Sequence, residues 1–141
     1  MRSLWLSLML VFAGCGGSVG AGSLEAPIAD PGDDRVVLVG DSTTLSGLLS
    51  CDPSGGGLHY SWSVLEKPEG SALMLSNAAK TSVQFGFRAD VAGTYLFELI
   101  VTNGSRRSIG EVVAVQATED PALVVTPANT PPTEDRCGNS I

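Results

Sequence analysis

The chain has 141 residues, a formal net charge of -7, and 43% hydrophobic but only 6% aromatic residues, which suits one small domain with room for tails. Eight Lys and Arg against fifteen Asp and Glu leave no clustered positive charge to displace counterions from a phosphate backbone, so nucleic acid is excluded as a partner. A single His and three widely spaced Cys do not provide the roughly four N/S ligands of a zinc site, and no cofactor is implied.

The N-terminus reads as an export signal. Arg2 gives the positive start, and Leu4 to Gly14 form an apolar run well short of the ~20 residues that span a bilayer. The run closes on Phe12-Ala13-Gly14-Cys15. An apolar residue, two small residues and a Cys resemble the bacterial lipobox, which implies a signal peptide over residues 1–14 and lipidation of Cys15. Val19-Gly20-Ala21 offers an ordinary signal peptidase the alternative of a soluble exported chain. Residues 15–25 are a Gly/Ser-rich tether with the composition of a flexible coil. Gly16, not Asp, follows the Cys, which points to the outer membrane or cell surface of a bacterial envelope. Losing Arg2 takes the charge from -7 to -8, so the membrane partnership rests on the lipid and not on charge.

From Val36 to Ala117 apolar residues recur at period two, the strand signature. The runs are Val36–Val39, Thr43–Cys51, Leu58–Val64, Val83–Arg88, Thr94–Thr102 and Glu111–Ala117. Between them lie Gly40-Asp41, Asp52-Pro53-Ser54-Gly55-Gly56-Gly57, Lys67-Pro68-Glu69-Gly70-Ser71, Ala92-Gly93 and Asn103-Gly104, all turn chemistry. Asn103-Gly104 invites a hairpin, and the one helical turn expected lies around Ser76 to Lys80. Six or seven short strands predict an all-β, immunoglobulin-like antiparallel β-sandwich over residues 26–117. Trp62, Phe85, Phe87, Tyr95 and Phe97 fall on inward positions, with Trp62, Tyr95 and Phe97 as the structural core. Tyr95, behind Asp90-Val91-Ala92-Gly93-Thr94, has the setting of a tyrosine corner.

These residues resemble the PKD domain, an immunoglobulin-like module of surface proteins. The resemblance rests on Ala29-Asp30-Pro31-Gly32-Asp33-Asp34-Arg35-Val36-Val37, on Leu58-His59-Tyr60-Ser61-Trp62, on Lys67-Pro68-Glu69-Gly70-Ser71, and on Gly93-Thr94-Tyr95 through Leu99-Ile100-Val101-Thr102-Asn103-Gly104. The W-x-F-G-D-G signature of one subgroup is absent, since Ser63-Val64-Leu65 follow Trp62. The resemblance implies a non-catalytic module that contacts proteins or polysaccharides, or acts as a spacer. In some relatives the loop after the second strand binds Ca2+ through D-x-D-G. Here it reads Asp52-Pro53-Ser54-Gly55. Asp30, Asp52 and Asp90 are thus weak Ca2+ candidates, and an Asx turn is the favoured reading of Asp52.

Other signals are weaker. His59 is on the outward phase of its strand with no nucleophile motif to serve, and no two acids are marked as a catalytic pair. Arg106-Arg107 sits at a hairpin tip. Gln84, Arg88 and Glu98 face outward as a candidate binding face, or as the wet side of a sheet. Residues 118–141 read as a linker followed by the start of a truncated second repeat, because Pro132 to Ile141 echo Pro27 to Val36. That tail is expected to be disordered. Cys51 and Cys137 are expected either to pair with each other, to leave Cys137 for another chain, or to leave Cys51 as a buried thiol. The function expected is a cell-surface lipoprotein displaying a non-catalytic domain. The alternative is an accessory or truncated module of a multi-repeat exported adhesin or hydrolase.

Overall fold

The computed structural model describes residues 25–124 and 132–141. The signal segment, Cys15 and most of the tether lie outside the described residues. Six strands form: β1 (Arg35–Leu38), β2 (Ser42–Ser46), β3 (His59–Glu66), β4 (Gln84–Arg88), β5 (Gly93–Thr102) and β6 (Glu111–Thr118). One short helix, α1 (Asn77–Thr81), is capped by the Ser76 hydroxyl, which accepts from the Ala79 N–H. A 3-10 turn at Pro121–Leu123 follows β6.

The strands make a four-stranded sheet in the order β1-β6-β5-β3, faced by a two-stranded sheet, β2-β4. Alternation along β5 decides the packing. Tyr95, Phe97, Leu99 and Val101 are fully buried, while Leu96, Glu98 and Ile100 between them are half-buried on the outer face. Opposite, Leu45 of β2 and Phe85 and Phe87 of β4 point inward. Aromatic contacts weld the layers. Trp62 meets Phe85 edge-on at 5.2 Å, Phe87 lies 4.8 Å from Phe97 and 5.6 Å from Tyr95, and Phe85 lies 5.8 Å from Phe97, separations that favour tilted and T-shaped rings. The Trp62 indole N–H donates to the Ser82 carbonyl at 2.9 Å, so its one polar atom is satisfied inside the core. The fold is therefore the expected immunoglobulin-like sandwich.

Three details depart from the expectation. First, β1 runs parallel to β6, with Arg35 opposite Val115 and Leu38 opposite Thr118, whereas the sequence implied antiparallel pairing throughout. Strand direction leaves no trace in a period-two pattern; here both strands run the same way because the chain crosses the whole sandwich between them. Second, the run Thr43–Cys51 is not one strand. It breaks after Ser46, and Cys51 makes a separate antiparallel bridge with Ile28. Third, the last ten residues are not a disordered stub. Cys137 is disulfide-bonded to Cys51 across 86 residues of sequence. The Arg136 N–H donates to the Leu49 carbonyl at 2.9 Å, and its guanidinium pairs with the buried carboxylate of Asp30. A ten-residue piece cannot bury a core of its own, but a covalent tie and a salt bridge to the sandwich order it.

The open side between β1 and β2 is closed by a polar reach. The Arg35 guanidinium donates to the Thr44 carbonyl at 2.7 Å and also to the Asp33 carbonyl, joining the two sheet edges. Glycine is needed at Gly93, where φ is +134° and a Cβ would stand 2.8 Å from the Pro68 ring.

Trp62→Ala removes a ring packed against Phe85 and is expected to cost about 3–5 kcal/mol, read as a drop in the urea unfolding midpoint. Reducing the disulfide frees a loop of this length in the unfolded chain. On the chain-entropy account that costs about 4–5 kcal/mol, and it is read by comparing unfolding with and without dithiothreitol.

Candidate functional site

The sandwich has two ends, and the sequence candidates divide between them. At one end β3 begins opposite the last residues of β5, with His59 facing Thr102. The loops 52–57 and 103–110 lie there, together with Ile28, Cys51 and the tail. At the other end the Val39 N–H donates to the Thr118 carbonyl and the Gly40 N–H to the Ala89 carbonyl. The turns at Pro68–Ser71 and Asp90–Gly93 complete that end.

At the first end, Asp52 is buried and organises its loop. Its carboxylate accepts from the Ser54 hydroxyl at 2.6 Å, from the Ser54 and Gly56 N–H groups at 3.1 Å, and from the Asn103 amide at 3.2 Å. The Ser54 hydroxyl first, then the backbone and Asn103 donors, hold its pKa below the ordinary value, against the opposing effect of burial. Asn103 in turn accepts from the Ser105 and Arg106 N–H groups, so one amide couples the two loops. Asp30 accepts from the Gly32 N–H at 2.8 Å and pairs with Arg136. The Asp30 N–H donates to the Ser50 hydroxyl at 2.9 Å.

At the opposite end, Tyr95 forms the corner. Its hydroxyl donates to the Asp90 carboxylate at 2.8 Å or the Val91 carbonyl at 2.9 Å, and accepts from the Val91 N–H at 3.0 Å. Asp90 also accepts from the Ser71 hydroxyl and the Ala72 N–H, each at 2.6 Å. Hydrogen bonds from Ser71, then Tyr95, then Ala72 lower the Asp90 pKa from 3.8 to about 2. Stabilising donors that prefer the anion have this effect.

Asp30, Asp52 and Asp90 therefore do not assemble. Each carboxylate is engaged by its own set of protein donors, none shared with another, and Asp90 is at the far end of the sandwich. The one metal-like trio among the described residues is Cys51, Asp135 and Cys137, and its two sulfurs are bonded to each other. The carboxylates with displaced pKa values, Asp52, Asp90 and Asp135, all move downward, toward the ionised form. A general acid needs the reverse.

The outward residues divide as well. Gln84 and Arg88 stand on β4, and Glu98 stands on β5 of the other sheet. Because the sheets meet through their inner faces, these residues occupy opposite sides of the molecule and form no common face. Arg106 and Arg107 are exposed at their hairpin tip, and His59 is exposed on β3. The core aromatics Trp62, Phe85, Phe87, Tyr95 and Phe97 are buried and Tyr60 is half-buried. Among the described residues no Phe, Tyr or Trp ring is laid open as a stacking platform for sugars.

Sequence reasoning missed the partners more than the acids. Ser71, Asn103 and Arg136 each bond a carboxylate 19 to 106 residues away, and local pattern carries no such information. Ser71, at the close of the Lys67-Pro68-Glu69-Gly70-Ser71 turn, and Asn103, in the Asn103-Gly104 turn, stand in motifs, but the motifs do not say which carboxylate each reaches.

In an NMR titration Asp90 is expected to protonate near pH 2. Tyr95→Phe is expected to raise that midpoint toward 3.8. Because the folded pKa lies below the unfolded one, this contribution to stability is present above about pH 4 and fades as pH falls through 2.

Comparison with known proteins gives a consistent picture. The family model described as "K319L-like, PKD domain" matches residues 31–116, more than half of the chain. Among solved structures, the PKD domain from KIAA 1837 protein is 28% identical, with a TM-score of 0.53 over 75% of this chain and 95% of that one. The PKD domain of human KIAA0319 is 16% identical, with a TM-score of 0.54 over 74% and 92%. A nucleoside hydrolase-related protein from Saccharophagus degradans, associated with carbohydrate metabolism, is 22% identical, with a TM-score of 0.56 over 67% of this chain. The similarity takes in only 26% of that protein's length. No curated protein matches the chain at a significant level.

Proposed function

From the premise that this chain belongs to the K319L-like PKD domain family, we propose that it is a lipid-anchored surface protein that displays one non-catalytic contact domain. The observation that carries this is the family match over residues 31–116 on a closed sandwich whose buried carboxylates are engaged by structural donors. Such a surface is built to be stable and to be touched. Catalytic groups with tuned acid–base properties are not what its shifted carboxylates supply.

In this reading the leader directs export, Cys15 carries the lipid, and residues 16–24 hold the domain off the membrane. Gly16 after the lipidated Cys favours the outer membrane or cell surface. A chain with net charge -8 after loss of Arg2 is repelled by anionic headgroups and stands away from them. With the core aromatics withdrawn into the sandwich, a protein partner fits the accessible surface better than a polysaccharide does.

A second reading is an accessory module of a larger exported adhesin or hydrolase. It draws on the hydrolase-related protein, in which the similar part is about a quarter of the chain.

Cells expressing the full chain with radiolabelled palmitate are expected to yield a labelled protein. Cys15→Ser is expected to abolish the label, and globomycin to accumulate the precursor. An exported but unlabelled wild-type chain would overturn the anchor. Pull-down with purified envelope proteins, set beside a glycan array, is expected to show binding in the first and none in the second. Glycan binding alone would reverse the choice of partner.

A further inference from the structure

We propose that the Cys51–Cys137 disulfide is a covalent shunt that carries tension past the folded core. The argument starts from where the chain enters and leaves. Ile28 and Cys51 are bridged, with Ile28 N–H to Cys51 carbonyl at 2.8 Å and Cys51 N–H to Ile28 carbonyl at 3.0 Å. The outgoing segment returns to the same place, where the Arg136 N–H bonds the Leu49 carbonyl at 2.9 Å and its guanidinium pairs with Asp30. Asp30 is itself tied to Ser50. Incoming and outgoing backbone thus lie side by side at one end of the sandwich, and the disulfide joins them there.

A pull applied between the two ends of the chain has two routes to choose from. Along the backbone it would pass through residues 52–136, which include β3, β4, β5, β6 and most of the aromatic cluster. Through the disulfide it passes from Cys51 directly to Cys137. Both routes are covalent, and the second is shorter by 86 residues of chain, so it tightens first and takes the load. β1 and β2 remain exposed to the force and load β6 and β4 only sideways, through their ladders, while the backbone between the two cysteines carries no tension along its length. A module built this way also has its incoming and outgoing chain at one end, so it does not extend a string of domains as a linear spacer does.

The inference goes beyond the display reading and does not depend on it. An unlipidated chain would still carry the shunt, and a lipidated chain with unpaired cysteines would still display the domain.

Single-molecule stretching tests it, using the exported chain held by tags fused before Gly16 and after Ile141. Dithiothreitol supplies the control state: its two thiols deliver two electrons and two protons to the S–S bond, giving the Cys51 and Cys137 thiols and the cyclic disulfide of the reagent. The 86-residue separation hides about 28–31 nm of contour at the extended length per residue. Unfolding of the oxidised chain is expected to release a length shorter by that amount than unfolding of the reduced chain. Cys137→Ser is expected to give the long release without reductant. Equal lengths in the oxidised and reduced states would overturn the proposal, as would a full-length release from the oxidised chain. Should Cys137→Ser fail to fold, the reduced wild-type chain still decides the comparison. Palmitate labelling of Cys15 reads the anchor separately, so failure of one does not imply failure of the other.

Discussion

One face of one strand organises this molecule. The odd-numbered residues of β5, from Tyr95 to Val101, are wholly withdrawn from water, and every other element is arranged to keep them so. β3 and β6 flank them in the same sheet, and Phe85 and Phe87 come down on them from the other. Burial at about 25 cal/mol per Å2 of apolar surface makes such a face the main source of stability in a domain this small. Tyr95 adds a second constraint, since its ring sits in the core while its hydroxyl fixes the Asp90–Val91 backbone. Packing and loop position are thereby set by one side chain.

The polar interior follows from that packing. Asp30 and Asp52 are both buried carboxylates, and each takes donors from its own turn and one from a distant segment, Arg136 for Asp30 and Asn103 for Asp52. Burying a charge is tolerable only when it is paired or hydrogen-bonded. The loops at that end of the sandwich are consequently stiffened by anions at their centres, and the hydrogen-bonding capacity of those anions is spent inside the domain. This explains why residues that read as cation ligands in the sequence act as turn organisers in the fold.

What was legible in the sequence was whatever depends on near neighbours. The alternation Tyr95-Leu96-Phe97-Glu98-Leu99 states which side chains face in, and Ser76 states where α1 starts. Asp52-Pro53-Ser54 announced an Asx turn, and the Ser54 bonds are there. What escaped depends on distance along the chain. No local pattern tells whether β1 runs with or against β6, that Asn103 reaches Asp52, or that Arg136 comes back to Asp30. Gln84, Arg88 and Glu98 looked alike as outward residues because alternation tells inside from outside but does not tell one sheet from the other. The cysteines were open to several pairings for the same reason.

The parallel seam between β1 and β6 bears on how the domain comes into being. Among the described residues, the first strand, β1, finds its one ladder partner in the last, β6, with Val36 opposite Gln116. Contacts so remote make for a high contact order and a slow search. Until Glu111–Thr118 exists, β1 has an empty edge and the Arg35 staple has little to hold in place. Closure of the sheet therefore waits for Glu111–Thr118, and a ribosome that halts before residue 111 leaves only β3 and β5 joined, with β1 unpaired.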